Sequence, residues 1–184
     1  MDLSGHPDPS TILKNSRVLF NREEVSDAVQ KMADEINAHY GNEPLILMSV
    51  MTGAIIPAAW LATRLKMPIQ MDFVHATRYR GGLYGAELEY RVPPRLDLEG
   101  KQVLVIDDIF DEGDTLAAIK GSCEKRKASS VKLAVLVRKQ HDRGLSRDYV
   151  DFVGLDVPDV YVFGCGMDAY EEWRHLDEIL VLEQ

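Results

Sequence analysis

Three short apolar runs constrain the fold of this 184-residue chain more than any other feature. They are LILMSV at 45–50, QVLVI at 102–106 and VKLAVLV at 131–137. Each run is too short for a buried helix and suits a β-strand that is covered on both faces. Segments with apolar residues at helical spacing lie between the runs, such as the one from Arg22 to the stop at Gly41. This alternation predicts an α/β fold, with a mostly parallel sheet flanked by helices.

The ends of the chain carry weaker signals than its middle. Residues 1 to about 20 are polar and contain two prolines, so we expect an irregular arm there. The C-terminal segment contains short strand-like pieces without full helices between them. We therefore expect a single domain over 1–184, with a core of about 22–150 and a small hood of about 151–184, which the N-terminal arm could join.

Charge and composition exclude several classes of function. A net charge of −9 opposes binding to nucleic-acid phosphates and to anionic membranes. No apolar run approaches the ~20 residues of a membrane span, and the N-terminus lacks the features of a signal peptide. Cys123 and Cys165 form no C-x-x-C unit and are expected to be reduced thiols. We expect a cytoplasmic protein.

A dense acidic cluster follows the second apolar run. The stretch VLVIDDIFDEGDTL at 103–116 places its acids directly after a predicted parallel strand. Ligands of such sheets bind beyond the carboxyl ends of the strands, so this position is favourable for a site. The carboxylates repel one another and require a ligand or a counter-ion. They are Asp107, Asp108, Asp111, Glu112 and Asp114.

Four interpretations of this cluster compete. A calcium-binding EF-hand loop fails, because the alignment puts Phe110 at its third position and Ile119 at its twelfth. A response-regulator receiver site fails because the acidic pair comes too late in the chain. A solvated charged turn does not explain why Gly113 and Thr115 follow at a helix start. A turn that binds phosphate with its backbone N–H groups, beside acids that accept from sugar hydroxyls, explains both halves of the stretch.

The acidic turn resembles the phosphoribosyl pyrophosphate signature of type I phosphoribosyltransferases, which has a hydrophobic strand, two acids, two apolar residues and D-T-G-x-T. From about residue 17 to 182 the chain is similar to the hypoxanthine-guanine branch of that family. The further motifs occur in the family's order: MTGA at 51–54, DFVHATRYRGG at 72–82, LVRK at 136–139, VPDVYVFGCGMD at 157–168 and WR at 173–174.

The resemblance implies purine salvage by Mg²⁺-dependent transfer of a ribosyl phosphate from phosphoribosyl pyrophosphate to a purine nitrogen. It implies that Asp107 and Asp108 hold the ribose hydroxyls, directly or through Mg²⁺, and that Asp111 is the general acid/base at the purine N7. It also implies that five consecutive residues wrap the 5′-phosphate, namely Asp111, Glu112, Gly113, Asp114 and Thr115.

The resemblance assigns residues to the pyrophosphate as well. The loop at Thr52-Gly53, whose peptide is often cis in the family, would point an N–H at the pyrophosphate. Arg174 would contact the same group. The flexible loop would contribute Arg78-Tyr79, where the family usually has Ser-Tyr.

The resemblance assigns the purine pocket to the third strand and the C-terminal segment. Lys139 would donate to the oxygen at C6, and an ammonium, which only donates, discriminates against the amino group of adenine. Tyr161 would stack on the ring, and the backbone of Val162 would read its far edge. Asp168 would complete this pocket and bind a second Mg²⁺, the first being held at Asp107.

Two acids depart from the family pattern, which usually has Thr at Glu112 and a non-acidic residue at Asp114. We expect both side chains to point towards water or a basic neighbour. The expected partners are phosphoribosyl pyrophosphate, a purine base and further copies of the chain, as a dimer or tetramer. Two alternatives remain open: a non-catalytic regulator that senses phosphoribosyl pyrophosphate and binds RNA or DNA, and a transferase for xanthine or adenine.

Overall fold

The computed structural model describes residues 8–78 and 88–183, except for the side chains at 77–78 and 88–89. The elements in chain order are α1 (Pro9–Lys14), β1 (Ser16–Phe20), α2 (Arg22–Tyr40), β2 (Leu45–Val50), α3 (Ile55–Ala62), β3 (Ile69–Arg78), β4 (Leu88–Val92), β5 (Gln102–Phe110), α4 (Asp114–Lys125), β6 (Ser130–Gln140), a 3₁₀ turn (Arg147–Tyr149), β7 (Phe152–Pro158), β8 (Val162–Phe163) and β9 (Ile179–Leu182).

The larger sheet has the strand order β4-β3-β2-β5-β6-β7. Its strands are parallel except β4, which pairs antiparallel to β3 at one edge. In the register of the centre, Leu47 of β2 lies between Met71 of β3 and Leu104 of β5. The α/β class predicted from the three apolar runs is confirmed, and those runs form β2, β5 and β6.

Helices cover both faces of this sheet. On one face, α2 and α3 pack their apolar sides against alternate residues of β2 and β5, such as Leu47 and Leu104. On the other face, α4 packs against the remaining residues, such as Met48 and Val105. The 19-residue helix α2 begins with a capping box, in which Asn21 accepts from the backbone of Glu24 and Glu24 accepts from the backbone of Asn21.

The chain ends differ from their expected structure. Residues 9–20, expected to be irregular, form α1 and β1, and β1 pairs antiparallel with β9. Together with β8 these strands make a second, three-stranded sheet, the hood. The expected core boundary near residue 150 is also wrong, because β7 pairs with β6 and is the edge strand of the core sheet. The hood therefore joins segments from both ends of the chain, and neither segment alone reveals its partner.

Among the described residues, no helix has both the length and the apolar character needed to cross a membrane.

Candidate active site

The acidic pair lies within a strand and not in the turn after it. The sequence predicts a strand that stops at residue 106, but β5 continues to Phe110. It does so because β6 also continues, to Gln140, and pairs alongside: Asp107 faces Val135 and Phe110 faces Arg138. Backbone pairing does not depend on side-chain polarity, so the strand tolerates acids that end the apolar pattern. Lys139, expected to follow its strand, is likewise part of β6.

The turn after β5 has the geometry of an anion site. Gly113 has φ of +85°, and a Cβ atom there would lie 2.4 Å from the ring of Phe110, so only glycine fits. The 12-residue helix α4 begins directly after it, and among the described residues no side chain caps this N-terminus. The end of β5, at 107–109, and the segment from Asp111 to Leu116 line a cleft of about 450 Å³. Unused backbone N–H groups and the helix dipole favour an anion at this position.

Asp107 and Asp108 line the floor of this cleft. Burial raises the pKa of Asp107 well above its usual value, and the adjacent charge of Asp108 raises it further. Burial also raises the pKa of Asp108, against the lowering effect of hydrogen bonds and of the nearby Arg174. Two adjacent carboxylates with raised pKa values form a favourable site for a cation. A bound cation would offset both the burial of their charges and the repulsion between them.

Glycines bring the loop between β2 and α3 against this floor. The peptide between Met51 and Thr52 is cis. A Cβ atom on Gly53 would lie 2.0 Å from Oδ2 of Asp108, and one on Gly166 would lie 2.0 Å from the carbonyl oxygen of Gly53. The expected pyrophosphate loop, the acidic pair and the turn at Gly166 are therefore in close contact.

Arg174 is fixed by the same turn. Its guanidinium donates to the carbonyl oxygen of Gly166 at 2.8 Å and lies 2.6 Å from Oδ1 of Asp168. The other carboxylate oxygen of Asp168 accepts from the backbone N–H of Glu171 at 2.9 Å. Arg174 thus bridges the hood and the cleft, where its charge lowers the pKa of Asp108.

Of the residues expected to bind the purine, Lys139 contacts Asp111 directly. Nζ of Lys139 donates to Oδ2 of Asp111 at 3.1 Å, and the Lys139 side chain is only 15% exposed. Tyr161 is exposed and its hydroxyl donates to the carbonyl oxygen of Asp168 at 3.2 Å. Val162 is buried in β8, so only its backbone is available to a ligand. The structure thus places Lys139 beside Asp111, and Tyr161 beside Asp168.

Three residues that sequence reasoning missed complete this side of the site. Nε2 of His141 lies 2.5 Å from Oδ1 of Asp111. The guanidinium of Arg143 binds both oxygens of Asp159, at 2.6 and 2.8 Å. Ligand atoms of Asp111, His141 and Asp159 all lie within 4.8 Å of one another, yet cationic side chains already pair with both carboxylates, so we interpret the group as an ion-paired network. One signal was present: His141 follows Lys139 by two positions, the spacing of one strand face.

Burial raises the pKa of Asp111, but this is outweighed by hydrogen bonds from Lys139 and His141 and by the positive charge of Lys139, so the net pKa is lowered. Asp111 is therefore ionised at neutral pH, and its pKa is shifted in the direction opposite to those of Asp107 and Asp108.

The remaining predicted residues lie at the edges of the site. Glu112 is exposed, and its carbonyl oxygen accepts from the N–H of Leu145. Asp114 is partly exposed in the first turn of α4, where an acid is favourable. The backbone of Arg78 ends β3, whereas its side chain and all of Tyr79 lie outside the described residues.

Comparison with known proteins matches this chain to one family. The sequence model of the phosphoribosyl transferase domain matches residues 18–172. The chain is 31% identical over 169 residues to the hypoxanthine-guanine phosphoribosyltransferase of Streptococcus thermophilus, a match that covers 91% of this chain and 93% of that protein.

Solved structures agree with the sequence comparison. A hypoxanthine-guanine phosphoribosyltransferase from Bacillus anthracis matches with a TM-score of 0.82 at 26% identity, over 90% of this chain and 96% of that one. A mutant hypoxanthine phosphoribosyltransferase from Trypanosoma cruzi, in a ternary complex with its substrates, matches with a TM-score of 0.84 at 29% identity, over 90% and 94%. The family resemblance and the type I fold are thereby confirmed. This chain belongs to the phosphoribosyltransferase family, in its hypoxanthine-guanine branch.

Proposed function

We propose that this enzyme transfers the 5-phosphoribosyl group of phosphoribosyl pyrophosphate to a 6-oxopurine, hypoxanthine or guanine, and thereby salvages purines. N9 of the base forms a bond to C1′ of the ribose while the bond from C1′ to pyrophosphate breaks. The base loses its N7 proton to Asp111, and pyrophosphate leaves with the bonding electrons. The products are IMP or GMP and pyrophosphate.

The pair formed by Lys139 and Asp111 is the observation that carries this proposal. The oxygen at C6 and the nitrogen N7 of a 6-oxopurine lie side by side on one edge of the ring. An ammonium and a carboxylate whose atoms lie 3.1 Å apart suit that edge, since one donates to the oxygen and the other accepts the N7 proton. An adenine would present an amino group to Lys139, which has no acceptor. The exposed ring of Tyr161 supplies a face for stacking.

The other half of the substrate suits the cleft at Gly113. We propose that the backbone of the turn, from Asp111 through Glu112, Gly113 and Asp114 to Thr115, binds the 5′-phosphate. Glu112 and Asp114 then contribute through their backbone alone, because their side chains would repel a phosphate. The loop at Thr52-Gly53, together with Arg174, is proposed to hold the pyrophosphate.

The donor set also suits Mg²⁺, which prefers oxygen ligands. We propose that Asp107, beside Asp108, holds one Mg²⁺ and that Asp168 holds a second. The raised pKa of Asp107 and Asp108 supports this, since both carboxylates gain from a neighbouring cation. Bound Mg²⁺ would neutralise charge on the pyrophosphate leaving group.

We also propose that the chain forms a homo-oligomer. Met71 and Phe73 of β3 are 50% and 44% exposed, on the face of the sheet that α3 covers further along. Adjacent exposed apolar residues of this size favour an interface, and sedimentation equilibrium of a Phe73→Lys variant against wild type tests it.

A cytoplasmic location is proposed as well, because both cysteines are free and buried.

A steady-state assay with hypoxanthine, guanine, xanthine and adenine tests the function. We expect turnover of 6-oxopurines and a much lower kcat/KM for adenine. Lys139→Ala should raise KM for the base on the order of 10-fold, with little change for phosphoribosyl pyrophosphate. The exposed Lys101→Ala is the matched control. Binding of phosphoribosyl pyrophosphate without turnover of any base would favour the regulator, and equal effects of Lys139→Ala on both substrates would remove its role at C6.

A further inference from the structure

Asp111 is held by an imidazole as well as by Lys139. The side chain of His141 is only 7% exposed, whereas that of Asp111 is 42% exposed. The 2.5 Å contact to Oδ1 of Asp111 is therefore made by a buried ring that has little freedom to turn. The buried His141 therefore restricts the orientation of the Asp111 carboxylate, the proposed proton-transfer group.

The hydrogen bonds of His141 determine which nitrogen carries its proton. The backbone N–H of Arg143 donates to Nδ1 at 3.1 Å, so Nδ1 must present a lone pair. The proton of the neutral ring is therefore on Nε2, which donates to Asp111. With its Nδ1 lone pair used and its Nε2 proton donated, this imidazole cannot accept a proton from Asp111 without losing a hydrogen bond. His141 thus orients the carboxylate and does not relay its proton.

A closed ring of contacts fixes the histidine in turn. The guanidinium of Arg143 binds Asp159, whose Oδ1 lies 3.9 Å from Nζ of Lys139. Lys139 closes the ring of contacts by donating to Oδ2 of Asp111, the oxygen that His141 does not contact. The ring joins the end of β5, the end of β6 and the segment after β7 that leads to Tyr161. It therefore couples the orientation of Asp111 to three segments that surround the proposed purine pocket.

We propose that His141 is a positioning residue for Asp111: it holds Oδ1 so that Oδ2 faces the N7 edge of the bound purine, beside Lys139. This inference rests on the function proposed above. When a base binds, donation from Lys139 is redirected towards the oxygen at C6. His141 then remains as the donor that keeps the Asp111 carboxylate oriented and ionised.

The charged and polar groups around Asp111 support these separate roles of Lys139 and His141. Lys139 and His141 approach it from β6 and its extension, Arg143 lies 3.7 Å from Oδ1, and Asp159 lies behind them beside Lys139. Loss of the His141 hydrogen bond should therefore raise the pKa of Asp111, because one of the groups that lower it is removed.

His141→Leu and His141→Gln form the matched pair of variants. Leucine removes the donor, whereas the amide of glutamine can donate from nearly the position of Nε2. We expect His141→Leu to lower kcat/KM for the base about 10-fold or more and to move the acidic limb of its pH profile to higher pH, with KM for phosphoribosyl pyrophosphate unchanged. His141→Gln should recover most of the loss. In an Asp111→Asn background, His141→Leu should cost nothing further.

The inference is overturned if His141→Gln is no better than His141→Leu, or if the loss persists in the Asp111→Asn background. An NMR titration of the Asp111 carboxyl carbon reads the contact without turnover, so it decides the inference even if the wild type transfers no purine. A pKa for Asp111 that is the same in wild type and His141→Leu would contradict it. His141→Met replaces His141→Leu if the latter does not fold.

Discussion

Asp107 and Asp111 lie four residues apart at the same edge of the sheet, yet the pKa values of their carboxyl groups are shifted in opposite directions. Burial and the charge of Asp108 raise the pKa of Asp107. Hydrogen bonds from Lys139 and His141 overcome burial and lower the pKa of Asp111. A bound cation would thus stabilise the ionised acidic pair, whereas Asp111 is already paired with Lys139. A dense acidic cluster in one sequence can therefore contain two sites of different chemistry.

The largest expected effect is at Asp111, the carboxylate that pairs with Lys139. Asp111→Asn should lower kcat by ~10²-fold or more, because asparagine cannot take the N7 proton. The binding of phosphoribosyl pyrophosphate should change little, since the acidic pair is untouched. Single-turnover and steady-state rates measure this, with the exposed Glu99→Gln as control. Near-normal turnover of Asp111→Asn would remove its proposed role.

An intermediate effect is expected at the acidic pair, Asp107 and Asp108. Removal of Mg²⁺ with a chelator should weaken binding of phosphoribosyl pyrophosphate on the order of 10–100-fold, as the loss of metal-site contacts typically does. Asp107→Asn should weaken binding in the presence of Mg²⁺ and reduce the difference that Mg²⁺ makes. Isothermal titration calorimetry measures both, and an affinity that is independent of the metal would contradict the metal assignment.

The smallest expected effect is a pair of stability changes with opposite signs. In the metal-free protein at neutral pH, Asp107→Asn should raise Tm by a few °C, because it removes a charge that burial disfavours. Asp159→Asn should lower Tm slightly, because it removes the partner of Arg143. Thermal melts followed by circular dichroism measure both changes. If both variants shifted Tm in the same direction, the contrast between the two carboxylates would be contradicted.

The pH dependence of the second change follows from its pKa. The hydrogen bond from Arg143 lowers the pKa of Asp159 to about 2. The stabilisation is therefore fully present above the ordinary carboxyl pKa of 3.8 and is lost as the pH falls from there towards about 2. The Tm difference between wild type and Asp159→Asn should persist at about pH 6 and shrink below about pH 4. A difference that grows on acidification would exclude the ion pair as its cause.

Much of the fold could be read from local patterns. The apolar runs gave the positions of β2, β5 and β6, and helical spacing gave α2, because periodicity reports burial directly. Strand ends were missed where pairing continued past the apolar residues, as at Asp107 and Lys139. The hood was expected, with the N-terminal arm as a possible part of it, but the pairing of β1 with β9 was not, because local sequence carries no record of a partner at the other end of the chain.

The site divides in the same way. The sequence by itself determined the parallel core, the acidic pair and the turn at Gly113, because each depends on neighbouring residues and on backbone conformation. Only the tertiary structure decided what neutralises Asp111, since His141 reaches it across 30 positions. It also decided that contacts from Lys139 and His141 lower the pKa of Asp111, whereas burial raises the pKa of Asp107 and of Asp108. The physical reason is that a carboxylate's pKa depends on burial and on charges within a few ångströms, and these are set by how distant strands pack.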